Sequence, residues 1–198
     1  MTAHFLEFGE PKQLDADYLV LSLTPAHLKK ISVKPAWPEE KAFALESMQY
    51  SSQSRVILQS RTPFWKGELA SINLEMGEPT LHQVYETADE VPGQRCVLMG
   101  SAEAEVTADE ALTTFNKFYS GKSHTIERAL VHNWSHDPWS SGCERLPFPL
   151  GQLKKIWPQL IEPVGRIRFA GSFADNLPWG MDAATRSANR VAENIDAA

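Results

Sequence analysis

The chain has 198 residues, 42% hydrophobic and 22% charged, the profile of a folded globular protein with enough interior for a sizeable core. Nineteen Lys and Arg against 25 Asp and Glu leave a net charge of −6, and without a basic cluster nothing draws the chain to nucleic acid or an anionic membrane. No apolar stretch approaches the roughly 20 residues of a membrane span, and the two cysteines, Cys96 and Cys143, lie outside any CxxC spacing, which excludes a disulfide framework and a zinc knuckle. The opening residues, Met1 to Phe8, carry an early acid and no long apolar region, so they do not read as a signal peptide.

Along the chain, Ala16 to Pro25 contains a continuous apolar run that stops at proline, the pattern of a strand covered on both faces in a parallel sheet. Glu39 to Tyr50 reads as a short helix. Arg55 to Gln59, Leu69 to Met76 and Arg95 to Met99 alternate or mix apolar and polar residues and are expected to form strands of a second sheet. Thr107-Ala-Asp-Glu110 has the form of a capping box, with Leu112, Phe115 and Tyr119 at helical spacing behind it and Gly121 as the stop. Asn133 to Leu150, rich in Trp, Pro, Ser and Gly, reads as a long ordered loop. Gly165 to Gly171 is a short strand ending in glycine. A polar turn, Ser172 to Trp179, leads into a helix whose apolar side is expected to be Met181, Ala184, Ala188, Val191 and Ile195.

The fold class expected is therefore mixed α/β, with a chain that leaves one domain, builds another and returns. The segments are 1–35, 36–130 and 131–198. The ending of the strand at Gly171 has two readings. It is a plain turn with a glycine stop, or a place where a ligand approaches the backbone and the N–H groups opening the next helix hold negative charge. The spacing His132-x-x-x-His136 suits two metal ligands on a helix, but Asn-Trp-Ser between them and Asp137-Pro138 after them argue against a helix, so no metal site is expected.

Arg166-Ile-Arg-Phe-Ala-Gly171 followed by Gly180-Met-Asp-Ala-Ala184 and Ser187 resembles the C-terminal flavin-binding signature of the flavin-containing amine oxidases. Asn133 to Cys143 is similar to the tryptophan- and glycine-containing segment that precedes it, and Pro63-Phe-Trp65 and Ala16 to Val20 resemble two further landmarks in the same order. The resemblance covers about Ala16 to Ile195. It implies part of the two-domain FAD-dependent amine oxidase fold, comprising a piece of the FAD-binding sheet and a mixed-sheet substrate domain. The GxGxxG turn that holds the cofactor's pyrophosphate in that family does not occur in these 198 residues. The implied cofactor is FAD and the implied substrate a small-molecule amine or amino acid, with a second chain as the candidate source of the missing dinucleotide half. The alternative is a non-catalytic truncated relative or partner subunit. A piece cut from a continuous core is also expected to leave apolar surface uncovered.

Residue by residue, the resemblance implies that Gly171 and Ser172 lie against the cofactor's phosphate and ribityl region. Gly180, the Met181 N–H and Ala184 meet the flavin at the start of the last helix. Trp134, Trp139 and Trp179 either pack near the ring or belong to the core. Gly142 belongs to the segment before that signature, and Cys143 stands where some members bond covalently to flavin, the other reading being an inert small residue. Arg55 takes the place of a lysine that holds water near flavin N5, with Trp179 as a second catalytic candidate. Glu144 stands in the substrate pocket, where monoamine oxidases have an aromatic residue.

Overall fold

The computed structural model describes residues 1–66, 74–87, 96–145, 148, 150–175 and 180–198, with the side chains of 74–77 and 144–145 excepted. The chain begins with an antiparallel hairpin, β1 (Thr2–Glu7) and β2 (Glu10–Asp15), in register from Thr2 opposite Asp15 to Glu7 opposite Glu10. Its two turn residues, Phe8 and Gly9, have φ of 51° and 86°, the left-handed pair whose twist suits a two-residue hairpin. Phe5, Leu6, Phe8 and Leu14 are all exposed on it. Strand β3 (Leu19–Leu21), a single helical turn α1 (Pro25–Leu28) and helix α2 (Glu39–Ser47) follow. Helix α2 stops earlier than Tyr50 because Met48 turns to extended backbone and Gln49–Ser51 forms strand β4.

Contacts divide the chain into two units. One comprises Met1–Gln49 and Leu146–Ala198, the other Tyr50–Arg145. The second is built on β5 (Ser54–Ser60), β6 (Leu74–Glu78), β7 (Leu81–Glu86) and β8 (Cys96–Ala102), then helix α3 (Ala108–Phe118) and β9 (Ile126–Asn133). The sheet is antiparallel throughout, in the order β6-β7-β8-β5-β9. Strands β5 and β8 alternate buried and half-buried positions, so one face carries Val56, Leu58 and Leu98 into a core closed by Phe115 and Tyr119 of α3 and its cap. Of the run Leu69 to Met76, residues 69–73 lie outside the described residues and the rest begins β6; Arg95 likewise lies outside, before β8. The expected loop Asn133 to Leu150 is interrupted by β10 (Cys143–Arg145), which pairs with β4.

The capping box is present: the Thr107 hydroxyl accepts from the Glu110 N–H at 3.3 Å and the Thr107 N–H donates to the Glu110 carboxylate at 2.8 Å. Thr107→Ala removes a cap from a helix that closes the core and is expected to cost about 1 kcal/mol of unfolding free energy in urea titration. Thr107→Ser should recover most of it.

The chain then returns to the first unit through α4 (Leu153–Ile161), β11 (Ile167–Phe169) and α5 (Gly180–Asp196). Strand β11 pairs in parallel with β3, Ile167 opposite Leu19 and Phe169 opposite Leu21. Both apolar runs thus meet in one parallel ladder, as their composition requires. Helix α5 buries Ala183, Ser187 and Val191, whereas Met181 and Ala188 are exposed. The expected apolar side is right at Val191, half-buried at Ala184 and Ile195, and wrong at Met181 and Ala188; Ser187 holds a core position because its hydroxyl is satisfied by the backbone of Gly171. The architecture is mixed α/β.

Candidate functional site

In the first unit, everything converges on the end of β11. Gly171 has φ of +144°, and the Ser187 hydroxyl, fully buried, accepts from the Gly171 N–H at 2.8 Å while lying 3.1 Å from its carbonyl oxygen and 2.7 Å from that of Ala184. A Cβ at 171 would come within 2.7 Å of the Phe173 ring, so only glycine leaves this turn undisturbed. The turn that follows Ser172 is tied down at Asp175: Arg186 donates to one carboxylate oxygen through Nε at 2.8 Å and Nη2 at 2.7 Å, and the Trp157 indole donates to the Asp175 carbonyl at 2.8 Å. Helix α5 opens at Gly180, with φ of +68°. A Cβ there would meet nothing within 4 Å, and the Met181 side chain is 86% exposed. The glycine after β11, the turn pinned at Asp175 and the N-terminus of α5 with its partial positive charge thus follow one another in the chain, and among the described residues nothing lies within 4 Å of a Cβ at position 180. Ala184 lies one turn further on, half-buried. Trp179 falls outside the described residues.

In the second unit, Arg55 sits in β5 and donates to the Tyr85 hydroxyl at 3.2 Å, which in turn donates to the Met99 sulfur at 3.1 Å. Trp134 follows β9, edge-on to the His132 ring at 4.4 Å between centroids, and Trp139 is 83% exposed. Both indoles are exposed on this chain. Gly142 has φ of +95°, and a Cβ there would collide with the Ser51 carbonyl oxygen. Its glycine is thus required by its own backbone neighbourhood. Cys143 is exposed at the start of β10 and makes no disulfide with the buried Cys96. The backbone of Glu144 lies in β10; its side chain is outside the described set. His136 meets Glu105 at 2.5 Å, His132 is on a strand, and among the described residues no cluster of three or more His, Cys, Asp or Glu could hold a metal.

Sequence reasoning passed over Ser187 as a working residue and Lys41 altogether. Lys41 is only 1% exposed, donates to the Glu162 carbonyl at 2.8 Å and lies 3.8 Å from the Phe169 ring centroid, directly beneath the strand that ends at Gly171. Burial lowers its pKa to about 8 from the usual 10.5, opposed by the charge of Glu162. The serine stood in the quoted signature and could have been found by its spacing from Gly171. A lone lysine in a charged helix start gives no such signal.

The family described as flavin containing amine oxidoreductase matches residues 6–196. Similar curated proteins include amine oxidase [flavin-containing] B of Cavia porcellus, 28% identical over 91% of this chain and 38% of the relative, and L-amino-acid oxidase of Bungarus fasciatus, 22% identical over 92% and 38%. The chain therefore spans about two fifths of the length of these relatives. Among solved structures, putrescine oxidase bound to putrescine superposes with a TM-score of 0.81 at 21% identity, covering 94% of this chain and 44% of that one. Cyclohexylamine oxidase from Brevibacterium oxydans gives 0.76 at 20%, covering 93% and 44%. With the parallel pair, the glycine turn and the closing helix in the places the resemblance implied, the chain belongs to the flavin-containing amine oxidoreductase family.

Proposed function

We propose that this chain is the later part of an FAD-dependent oxidase acting on a C–N bond of an amine or amino acid. The observation that carries the reading is the cradle at the end of β11: Gly171 clamped by Ser187, and the uncovered start of α5. Its residues fit a flavin nucleotide. Gly171 and Ser172 would lie along the phosphate and ribityl chain, and the Gly180–Ala184 turn would offer the Met181 N–H to the ring's N1 and C2 carbonyl. By the same resemblance Trp134, Trp139, Gly142 and Cys143 are proposed as cofactor-binding residues and Glu144 as a substrate-pocket residue. When bound, FAD would supply the two-electron oxidation of the substrate's C–N bond, with O2 as the final acceptor. The helix N-terminus favours negative charge at the ring. Arg55, held by the Tyr85 hydroxyl, would position water or an anion but would not accept a proton. Trp179 remains a candidate wall of the pocket.

The pyrophosphate would need a further glycine-rich turn, and we propose that a second chain or segment supplies it. The exposed apolar hairpin and a parallel sheet that has two strands among the described residues support this, because parallel sheets are ordinarily covered and extended. We propose the first unit as the FAD side and the second as the substrate side. A second reading, a non-catalytic partner subunit, draws on Arg55 standing where a base-positioning lysine is expected.

The test is flavin affinity of the assembled protein, this chain together with the dinucleotide-binding half. Met181→Pro removes one charge-assisted donor, worth about 1.5–3 kcal/mol, and should weaken FAD about 10- to 100-fold. Met181→Leu keeps the donor and should bind normally. Equal affinity in both variants defeats the assignment.

A further inference from the structure

Ten residues down α5 from Gly180, the first unit carries an open pocket of about 270 Å³ that the flavin reading does not use. Ile161, Phe169 and Val191 give it apolar walls, and Arg168 and Arg190 are its two basic lining residues. Both arginines are half-buried; their hydrogen bonds go to backbone carbonyls, and the Arg168 guanidinium also lies over the Tyr18 ring at 5.2 Å from its centroid. Arg168 donates through Nη1 to the Gly165 carbonyl at 2.7 Å and, more weakly, to that of Ile167 at 3.4 Å; Arg190 donates through Nη2 to the Phe169 carbonyl at 3.3 Å. These contacts fix the two side chains and cap the outer edge of β11, but a carbonyl does not neutralise a cation. Among the described residues neither group meets a carboxylate, whereas the neighbouring Arg186 and Arg166 are paired with Asp175 at 2.7 Å and Asp17 at 3.9 Å. The buried ammonium of Lys41 lies behind the same wall, over the Phe169 ring. Glu162 is the lining's one acid.

We propose that this pocket binds a small organic carboxylate, its acid group taken by Arg168 and Arg190 and its apolar body by Ile161, Phe169 and Val191. A guanidinium fork matches carboxylate geometry, and a partly desolvated cation gains most from a counter-ion. The apolar walls select an organic acid over inorganic phosphate. The volume, at the lower end of small-molecule sites (about 300–1,000 Å³ is usual), limits the ligand to a short one.

Calorimetric titration of the full chain at neutral pH with 4-methylpentanoate tests this. The expected result is saturable binding, at least about tenfold weaker for acetate, for inorganic phosphate and for 3-methylbutylamine. Arg190→Gln and Arg168→Gln should each weaken it about tenfold or more. Because those changes also remove caps on β11, Asn194→Asp provides a variant that leaves both arginines anchored and adds a negative charge at an exposed position of the lining; it should weaken binding likewise. Arg166→Gln, outside the pocket, should bind as the parent does. No saturable binding at millimolar concentration overturns the proposal. So does equal binding of the amine or phosphate, or an affinity unchanged by Asn194→Asp.

Discussion

Phe115→Ala is expected to lower the unfolding free energy by about 3–5 kcal/mol, the cost of removing a fully buried ring. Phe115 has no exposed surface. It stacks on Tyr119 at 4.8 Å between centroids with planes 23° apart, and Phe64 meets it edge-on at 6.0 Å. Nothing adjacent can move into the space, since Val56, Leu58 and Leu98 are fixed on β5 and β8 by the sheet register. Equilibrium urea unfolding measures the loss, and the transition affected should be that of the second unit. Phe118→Ala, three residues on and exposed, is the control and should change stability by no more than about 0.5 kcal/mol. Similar losses from both would mean that α3 presents another face to the sheet.

The second large effect is one of pH. Lys41 carries a pKa of about 8 in the folded chain against 10.5 for a free lysine, first because burial penalises its charge. Below pH 8 the side chain is protonated in both states and the folded state bears the full penalty. Between pH 8 and 10.5 the folded chain releases its proton first, the unfolded chain binds more protons, and stability rises with pH. The gain across that window is about 3 kcal/mol at 1.36 kcal/mol per unit. Lys41→Met keeps the aliphatic packing and removes the titration, so the rise over this window should vanish in unfolding curves taken pH by pH. A parent protein whose stability is flat there, or an equal rise in Lys41→Met, would show that the ammonium is not held in the interior.

What was legible from residues alone follows from how strongly each element writes its environment. The runs around Leu19–Leu21 and Ile167–Phe169 are apolar without alternation, and they do pair in parallel. Thr107 and Glu110 announce the start of α3 because capping is chemistry between neighbours in sequence. Other elements carry no such signature. The β1–β2 hairpin is exposed on nearly every residue, so it shows no periodicity, and Pro158 inside α4 hides a helix that tertiary packing tolerates. The face of α5 was read correctly at Val191 but missed Ser187, because apolar periodicity counts Ser187 as polar surface, whereas its hydroxyl is spent on Gly171. Within the candidate site, the glycines at 171 and 180 were visible as glycines. Lys41 was not, because the sequence does not show the ring and carbonyl that receive a charged residue in the interior.

The parallel pair also imposes an order on synthesis. Tyr50–Arg145 is one continuous stretch whose two ends are held together by β4 and β10, so all of its contacts become available as soon as it has left the ribosome. The first unit has no such freedom. Strand β3 precedes the inserted unit, but its only partner among the described residues, β11, follows it. The apolar segment Leu19–Leu21 therefore meets that partner only after all of Tyr50–Arg145 has been made, a pairing of long sequence separation and correspondingly slow closure.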